Sequence, residues 1–160
     1  MIRSAVPADL PVLESIERRC FTAARRSSHR ALQYSLNSSF QQVFLAISRA
    51  AGVRGVAGAM TLYNYPRSIR IYSVAVLPEF RNAGAGRKLV NRAILLARRS
   101  GRNFVSLEAD RRNRRLIAWY ESFGFETVRV LKDYYSPGRD AVRMRLCLKT
   151  AERERVCGGS

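Results

Sequence analysis

The chain has few of the residues that build metal sites, redox centres and nucleophilic centres. Its 160 residues include one histidine, His29, and three cysteines. Cys20, Cys147 and Cys157 are widely spaced and match neither a metal-ligand spacing nor a disulfide framework, so we expect unpaired thiols of a reducing compartment. His29 lies in a basic stretch, where a solvated side chain is expected. The sequence therefore predicts no metal site and no zinc, flavin or covalent-nucleophile chemistry.

Long apolar runs are also missing. No run approaches the roughly 20 residues that a membrane-spanning helix needs. The N-terminus lacks an apolar core followed by a small-residue cleavage site, so no secretory signal is predicted. We expect a cytoplasmic protein with no membrane partner. The length suits one domain, predicted over 1–150 and followed by a flexible tail at 151–160.

Acidic residues are scarce. There are 12 against 29 basic residues, a formal net charge of +17, and all but three of the basic residues are arginine. A surface of this kind attracts polyanions such as nucleic acid, the ribosome, or a ligand with several phosphates. A solvated basic surface with a bias toward arginine is the alternative that composition leaves open.

Hydrophobic periodicity predicts a mixed α/β fold. The expected order is β-α-α-β-β-β-α-β-α-β-β, in which neighbouring strands are antiparallel and at least one β-α-β crossover occurs. This order excludes a doubly wound parallel sheet. The predicted strands cover about 1–7, 41–49, 51–66, 68–78, 103–109, 126–135 and 140–150, and the helices about 8–20, 28–38, 84–100 and 113–125.

A glycine loop joins the strand at 68–78 to the following helix, in the stretch VLPEFRNAGAGRK at 76–88. The first amides of a helix lack intrahelical partners, and small residues let a diphosphate approach them. An ordinary turn with a capping glycine is the alternative. A P-loop would need Gly-Lys-Ser/Thr, whereas Gly86 is followed by Arg87, Lys88 and Leu89. A dinucleotide fingerprint would need glycine where Leu89 stands, so both are excluded.

The amino-acid sequence of this loop, Arg81 to Gly86, resembles the acyl-CoA motif of the GNAT family of N-acetyltransferases, Arg/Gln-x-x-Gly-x-Gly/Ala. A second family segment follows in NRRLIAWYESFGF, with Asn113, Tyr120 and Gly124-Phe125 at the family spacing. The resemblance covers about 2–149. It implies a mixed, largely antiparallel sheet of about seven strands flanked by about four helices, with a V-shaped split between the central strands.

Three further stretches, LEADRRN, WYESFGF and DYYSPGRDAVRMRLCL, resemble the bacterial branch of the family that acetylates the N-terminal alanine of a ribosomal protein. The sequence departs from the pattern of this branch in two places, and both departures bear on the acceptor. The branch has an arginine near position 110, where this chain reads Ala109-Asp110-Arg111, and the N-terminal loop of this chain is richer in arginine than is usual. The resemblance implies a protein or peptide N-terminus as partner, with a ribosomal protein as the leading candidate. Contact with an acidic surface or RNA, and a monomer or weak dimer, are also expected.

The resemblance implies acetyl-CoA as the co-substrate. Its pyrophosphate would rest on the amides of the glycine loop, its pantetheine arm would pair with the preceding strand, and an asparagine in the second segment would orient it. The implied donor residues are Val74, Ala75, Val76, Arg81, Asn82, Ala83, Gly84, Ala85, Gly86, Arg87 and Asn113.

Acyl transfer to an amine needs a proton acceptor for the amine and a proton donor for the leaving thiolate. Glu108 ends a strand and is the candidate base, with Asp110 as the alternative. If Glu108 is not catalytic, it is a surface carboxylate that balances the charge of neighbouring arginines. Tyr120 is the candidate acid, or else a core aromatic. By resemblance Tyr134 and Tyr135 would line the acceptor groove, or they are ordinary strand aromatics.

The sequence thus predicts direct acetyl transfer in a ternary complex, most readily to a protein N-terminal α-amine. Acetylation of lysine, a polyamine or another small amine is an alternative. A second alternative is a non-catalytic module that binds the ribosome or nucleic acid through its basic surface.

Overall fold

Seven strands and four α-helices follow one another in the predicted order. The computed structural model describes residues 1–50 and 52–148; the tail predicted at 151–160 lies outside them. The elements are β1 Ile2–Ser4, α1 Leu10–Cys20, α2 His29–Asn37, β2 Gln41–Ala50, β3 Val53–Asn64, β4 Ser68–Val76, α3 Ala85–Arg99, β5 Phe104–Asp110, α4 Arg114–Glu121, β6 Glu126–Ser136 and β7 Arg139–Cys147.

The strands form one seven-stranded sheet in the order β1-β2-β3-β4-β5-β7-β6. β4 pairs with β5 in parallel, and β1 with β2, β2 with β3, β5 with β7 and β6 with β7 pair antiparallel. The predicted mixed, largely antiparallel sheet with four helices is therefore confirmed.

The chain divides into two units. The first consists of Met1–Asn64 and Tyr72–Ile94, and the second of Tyr65–Ile71 with the described residues from Leu95 onward. β4 and α3 each contribute residues to both units.

The first unit contains β1, β2, β3 and the second half of β4. α1 and α2 are amphipathic and bury Leu13, Ile16 and Leu32, and the first part of α3 buries Leu89 and Val90. These apolar faces supply the core on which the loop before α3 is built.

The second unit contains the first half of β4 with β5, β6 and β7. The parallel register runs from Ser68↔Phe104 to Ile71↔Leu107, and β4 and β5 both continue beyond it. Alternation along β5 buries Val105, Leu107 and Ala109 in the core and places Glu108 on the opposite face.

Two sequence expectations need correction. Cys147 is disulfide-bonded whereas Cys20 is a free thiol, so the expectation of unpaired thiols is wrong for Cys147. The separation of cysteines along the chain does not report their distance in space, so wide spacing does not exclude a disulfide. The last helix is shorter than predicted, because the chain turns at Gly124 with φ of +99°.

Within residues 1–50 and 52–148, no helix is long and apolar enough to cross a membrane.

Candidate active site

The glycine loop of the first unit is shaped by its backbone torsions. Asn82 and Gly84 have φ of +61° and +81°, in the left-handed region that glycine and asparagine tolerate best. The amide of Lys88 donates to the carbonyl of Gly84 at 3.0 Å, which closes the first turn of α3. The amides of residues 85–87 therefore precede the first intrahelical bond and lie at the partly positive end of the helix.

The buried face of α3 anchors the helix, while the loop before it is exposed to solvent. Ala85, Leu89 and Val90 are buried, whereas the side chains of 81–84 are exposed. A Cβ on Gly84 would meet no atom within 4 Å, so its backbone conformation rather than space requires glycine there. Exposed small residues above free amides suit a phosphate-bearing ligand.

Arg81 has a structural contact that the sequence did not predict. Its Nε donates to the carbonyl of Val76 at 3.1 Å, and the thiol of Cys20 donates to the same carbonyl at 3.6 Å. Burial raises the pKa of the Cys20 thiol, so it stays protonated and able to donate. Arg81 and Cys20 thus hold the end of β4.

Two other contacts support this strand end and were missed by sequence reasoning. Arg19 on α1 forms a two-bond ion pair with Glu79 in the turn Pro78–Phe80, at 2.7 and 2.9 Å. Gly58 on β3 faces the carbonyl of Ala75 so closely that a side chain would collide with it. A glycine in a strand interior was the available signal for this close approach.

Glu108 in the second unit accepts from two arginines. Arg70 Nε donates to its Oε2 at 2.8 Å, and Arg143 Nε donates to its Oε1 at 3.0 Å. The Glu108 side chain is 5% exposed. Both carboxylate oxygens therefore accept from an arginine, which holds the Glu108 side chain between β4 and β7.

Arg70 links Glu108 to the predicted acceptor residues. Its NH2 donates to the hydroxyl of Tyr134 at 2.9 Å, and the rings of Tyr134 and Tyr135 pack edge to face with centroids 5.0 Å apart. The structure therefore brings Glu108, Tyr134 and Tyr135 into one hydrogen-bonded and packed group. Arg70 and Arg143 were missed because they are 38 and 35 residues from Glu108 in the chain.

Asp110 is engaged in supporting the β6–β7 hairpin. Its Oδ2 accepts from Arg139 at 2.8 and 3.0 Å, and its Oδ1 accepts from the amide of Arg112 at 3.0 Å. Asp133, with φ of +52°, accepts from the amide of Gly138 at 2.6 Å. These bonds fix the hairpin that presents Tyr134, and they suit Asp110 to a structural role.

Tyr120 lies in an aromatic cluster on α4. It is 6% exposed and packs edge to face against Trp119 and Phe125, with centroids 4.9 and 5.7 Å away. Burial raises the pKa of its phenol, and the neighbouring Tyr135 acts in the same direction. Among the described residues no group hydrogen-bonds to its hydroxyl, which stays protonated at neutral pH and is available to a ligand.

Asn113 begins α4. Its Oδ1 accepts from the amide of Leu116 at 3.1 Å, so it is the N-cap of the helix rather than a member of it. The cap orients the helix that presents Tyr120, and the side-chain amide nitrogen of Asn113 faces no partner within the described ranges.

Acidic, histidine and cysteine side chains do not cluster for a metal anywhere in the described part of the chain. The candidate groups for chemistry are the Glu108 carboxylate, the Tyr120 hydroxyl and the amides of the glycine loop.

Comparison with known proteins identifies the chain's relatives. A model described as the acetyltransferase (GNAT) family matches residues 10–125. A [ribosomal protein bS18]-alanine N-acetyltransferase of Escherichia coli K12 is 30% identical over 155 residues, covering 91% of this chain and 95% of the relative. An uncharacterized Mycobacterium leprae protein is 29% identical over 147 residues, and this match spans 91% of the chain but only 40% of that relative's length.

A solved structure agrees with these matches. The crystal structure of the ribosomal-protein-S18-alanine N-acetyltransferase from Escherichia coli superposes with a TM-score of 0.81 at 25% identity, covering 94% of this chain and 95% of the other. This chain therefore shares its overall fold with that enzyme.

Proposed function

The chain belongs to the GNAT family of N-acetyltransferases, and on this basis we propose that it transfers acetyl from acetyl-CoA to a protein N-terminal α-amine. The leading acceptor is the alanine N-terminus of a ribosomal protein. The observation that carries this proposal is the match over 91% of the chain and 95% of the length of a bS18-alanine N-acetyltransferase. An acceptor of that kind places the reaction in the cytoplasm. Residues 1–150 form one acetyltransferase domain in this proposal.

The first unit supplies the donor site. The amides from Asn82 to Arg87 receive the pyrophosphate, since the loop is exposed, small and at the positive end of α3. Val74, Ala75 and Val76 pair with the extended arm of the donor. Arg81 shapes the loop through the Val76 carbonyl and adds positive charge. Asn113 belongs to the second unit, where it caps α4, and its side-chain amide nitrogen is a further proposed contact of the donor.

Glu108 acts as the general base. The acceptor amine must lose a proton before its nitrogen can attack the thioester carbon, and Glu108 takes that proton directly or through one water. Arg70 and Arg143 orient the carboxylate. Tyr134 and Tyr135 lie beside it and line the path of the acceptor.

Tyr120 acts as the general acid. When the carbon–sulfur bond breaks, the electron pair goes to sulfur and the Tyr120 hydroxyl gives its proton to the thiolate. Its raised pKa keeps the proton in place until then. The transfer is direct, with both substrates bound, and no acyl group is attached to the protein.

The test is acetylation of a peptide panel by the full chain. One peptide has a free alanine N-terminus and no lysine, a second is blocked at its N-terminus and carries one lysine, and a third sample is a polyamine. We expect acetylation of the first only. Turnover confined to the lysine peptide or the polyamine would replace the proposed acceptor. No turnover with any acceptor would favour the non-catalytic module.

A further inference from the structure

One face of the sheet in the second unit carries four arginines, which we call the basic sheet face: Arg70 on β4, Arg143 and Arg145 on β7, and Arg129 on β6. Arg143 is the register partner of Glu108 on one side and of Arg129 on the other. Residues opposite one another in a ladder share a face. Arg70 joins this face through its ion pair with Glu108.

The positive charge of this face exceeds its negative charge. Arg70 and Arg143 share the one carboxylate of Glu108. Glu126 stands opposite Arg145 in the register and adds a second carboxylate. Asp110 and Arg139 also lie on this side of the sheet and are paired with each other. Apart from that pair, the four guanidinium groups of the basic sheet face stand against two carboxylates.

Two of the arginines lack the partners that guanidinium groups usually have. Arg129 is exposed, and within residues 1–50 and 52–148 no carboxylate pairs with it. Arg145 stacks over the ring of Phe104 at 4.5 Å, and its buried Nε has no hydrogen-bond partner among those residues. Like charges directly opposite in a ladder, as at Arg129 and Arg143, destabilise a sheet. An anion bound on this face would relieve that repulsion.

We infer that this face binds an acidic segment of the acceptor, so that the preferred substrate is a protein N-terminus followed by Asp or Glu. The inference rests on the proposed function and names its substrate class. A carboxylate fits the fork of a guanidinium, and the face is joined to the acceptor residues because Arg70 bonds both Glu108 and Tyr134.

The dimensions of the face indicate how long the acidic segment is. Strands in a sheet lie about 4.8 Å apart, so the three steps from β4 to β6 span roughly 14 Å. An extended peptide advances about 3.3 Å per residue, so this distance covers about four residues. The acidic side chains are therefore expected within the first four or five residues of the acceptor. A basic N-terminus would be repelled by the same arginines.

The experiment compares three peptides that share an alanine N-terminus and differ only at the next four positions, which are acidic, uncharged or basic. We expect kcat/KM to be about tenfold higher for the acidic peptide than for the uncharged one, and lowest for the basic one. The differences should shrink as salt is raised, since partly exposed charges are screened.

A charge-reversal variant tests whether the preference for the acidic peptide arises at the basic sheet face. Arg129→Glu should lower the ratio of acidic to basic kcat/KM by about tenfold or more. Arg99→Glu, on the exposed end of α3, makes the same change in net charge and should leave the ratio as in the wild type. This ratio does not depend on the fraction of folded enzyme. Fluorescence anisotropy of the labelled acidic peptide gives the same comparison without turnover.

The outcomes separate the inference from the proposed function. Equal use of the three peptides, or an equal response to both arginine variants, overturns the inference while acetylation stands. Tight RNA binding that Arg129→Glu abolishes, with the peptide ratio unchanged, overturns it in favour of nucleic acid. If no peptide is acetylated, the proposed function fails. Arg129-dependent binding of the acidic peptide would then still support the inference, and its absence would refute it.

Discussion

The glycine loop of the first unit and the Glu108 group of the second are built in different ways. The loop is exposed, and its shape comes from two left-handed residues and a helix start within seven consecutive positions. In the group of Glu108, Arg70, Arg143 and Tyr134, the carboxylate is buried, and its position comes from ion pairs that join β5 to β4 and β7. One site presents backbone amides, the other presents charged side chains.

Under the proposed function, this difference matches what each site would have to recognise. Every acyl-CoA carries the same pyrophosphate, and backbone amides recognise it with little dependence on neighbouring side chains. Acceptor amines differ in sequence, and discrimination among them needs charged groups in defined positions. We therefore expect changes in the loop to alter donor affinity, and changes around Glu108 to alter turnover, pH dependence and acceptor choice.

The largest expected effect is that of Tyr120→Phe. Removing the hydroxyl removes the proton for the leaving thiolate, and kcat should fall by at least tenfold and by about 10²-fold if Tyr120 is a full general acid. Acetyl-CoA affinity, measured by calorimetry, should stay as in the wild type. Because burial raises the pKa of Tyr120, the wild-type kcat should show no loss from its ionisation up to pH 10.

Tyr34→Phe is the control for that change, since Tyr34 is 61% exposed on α2. Wild-type kcat in Tyr120→Phe, or an equal loss in both variants, would show that Tyr120 is only a core aromatic.

Glu108→Gln should show a loss that depends on pH. An N-terminal α-amine has a pKa of about 7.7–8.0, so below that pH it needs a base and above it does not. The loss in kcat/KM should be largest near pH 6.5 and smallest near pH 9. Glu121→Gln, at the end of α4, removes an exposed carboxylate and serves as the control. A loss of equal size at every pH would argue against the base role.

Gly84→Ala should weaken the donor site with a smaller effect on chemistry. An L side chain at φ of +81° costs about 1–2 kcal/mol, and relaxation of the loop would turn its amides away from the ligand. The Kd for acetyl-CoA should rise about tenfold. Gly101→Ala is the matched control, because Gly101 has φ of +67° and also has open space around it. Equal affinity in the two variants would contradict the loop's role.

The smallest expected effect concerns Glu17, a buried acid on α1. Burial raises the pKa of Glu17, whose Oε2 accepts from the amide of Ser27 at 2.8 Å. A raised carboxyl pKa means that ionisation costs stability as pH rises through it. Glu17→Gln keeps an acceptor oxygen and removes the charge, so Tm should rise by up to about 2 °C at neutral pH and be unchanged in acid.

Asp9→Asn should change the Tm at neutral pH in the opposite direction, so that the Tm falls. The Arg3 guanidinium lowers the pKa of Asp9, so its stabilisation is present at neutral pH and lost as pH falls through that lowered pKa. Thermal unfolding across pH measures both variants. A fall in the Tm of Glu17→Gln at neutral pH would show that the ionised form is stabilising.

Local patterns predicted the order of the elements and the position of the glycine loop before α3. The order of strands and helices followed from periodicity, and the glycine loop followed from six consecutive residues. Boundaries were less accurate where torsions decide them: α3 begins at Ala85 because Gly84 is left-handed, and α4 begins after Asn113 because that residue is its cap. The paired state of Cys147 was missed because spacing along a chain does not measure distance.

The sequence by itself determined the family and the glycine loop, and it singled out Glu108 and Tyr120 as candidates, because each is encoded in a short contiguous stretch. Only the tertiary structure decided what surrounds those residues. The sheet register brings Arg70 and Arg143 onto Glu108, packing raises the pKa of Tyr120, and the close approach of Ala75 requires glycine at Gly58. Strand pairing joins positions that are far apart in the chain, and no local pattern reports that pairing.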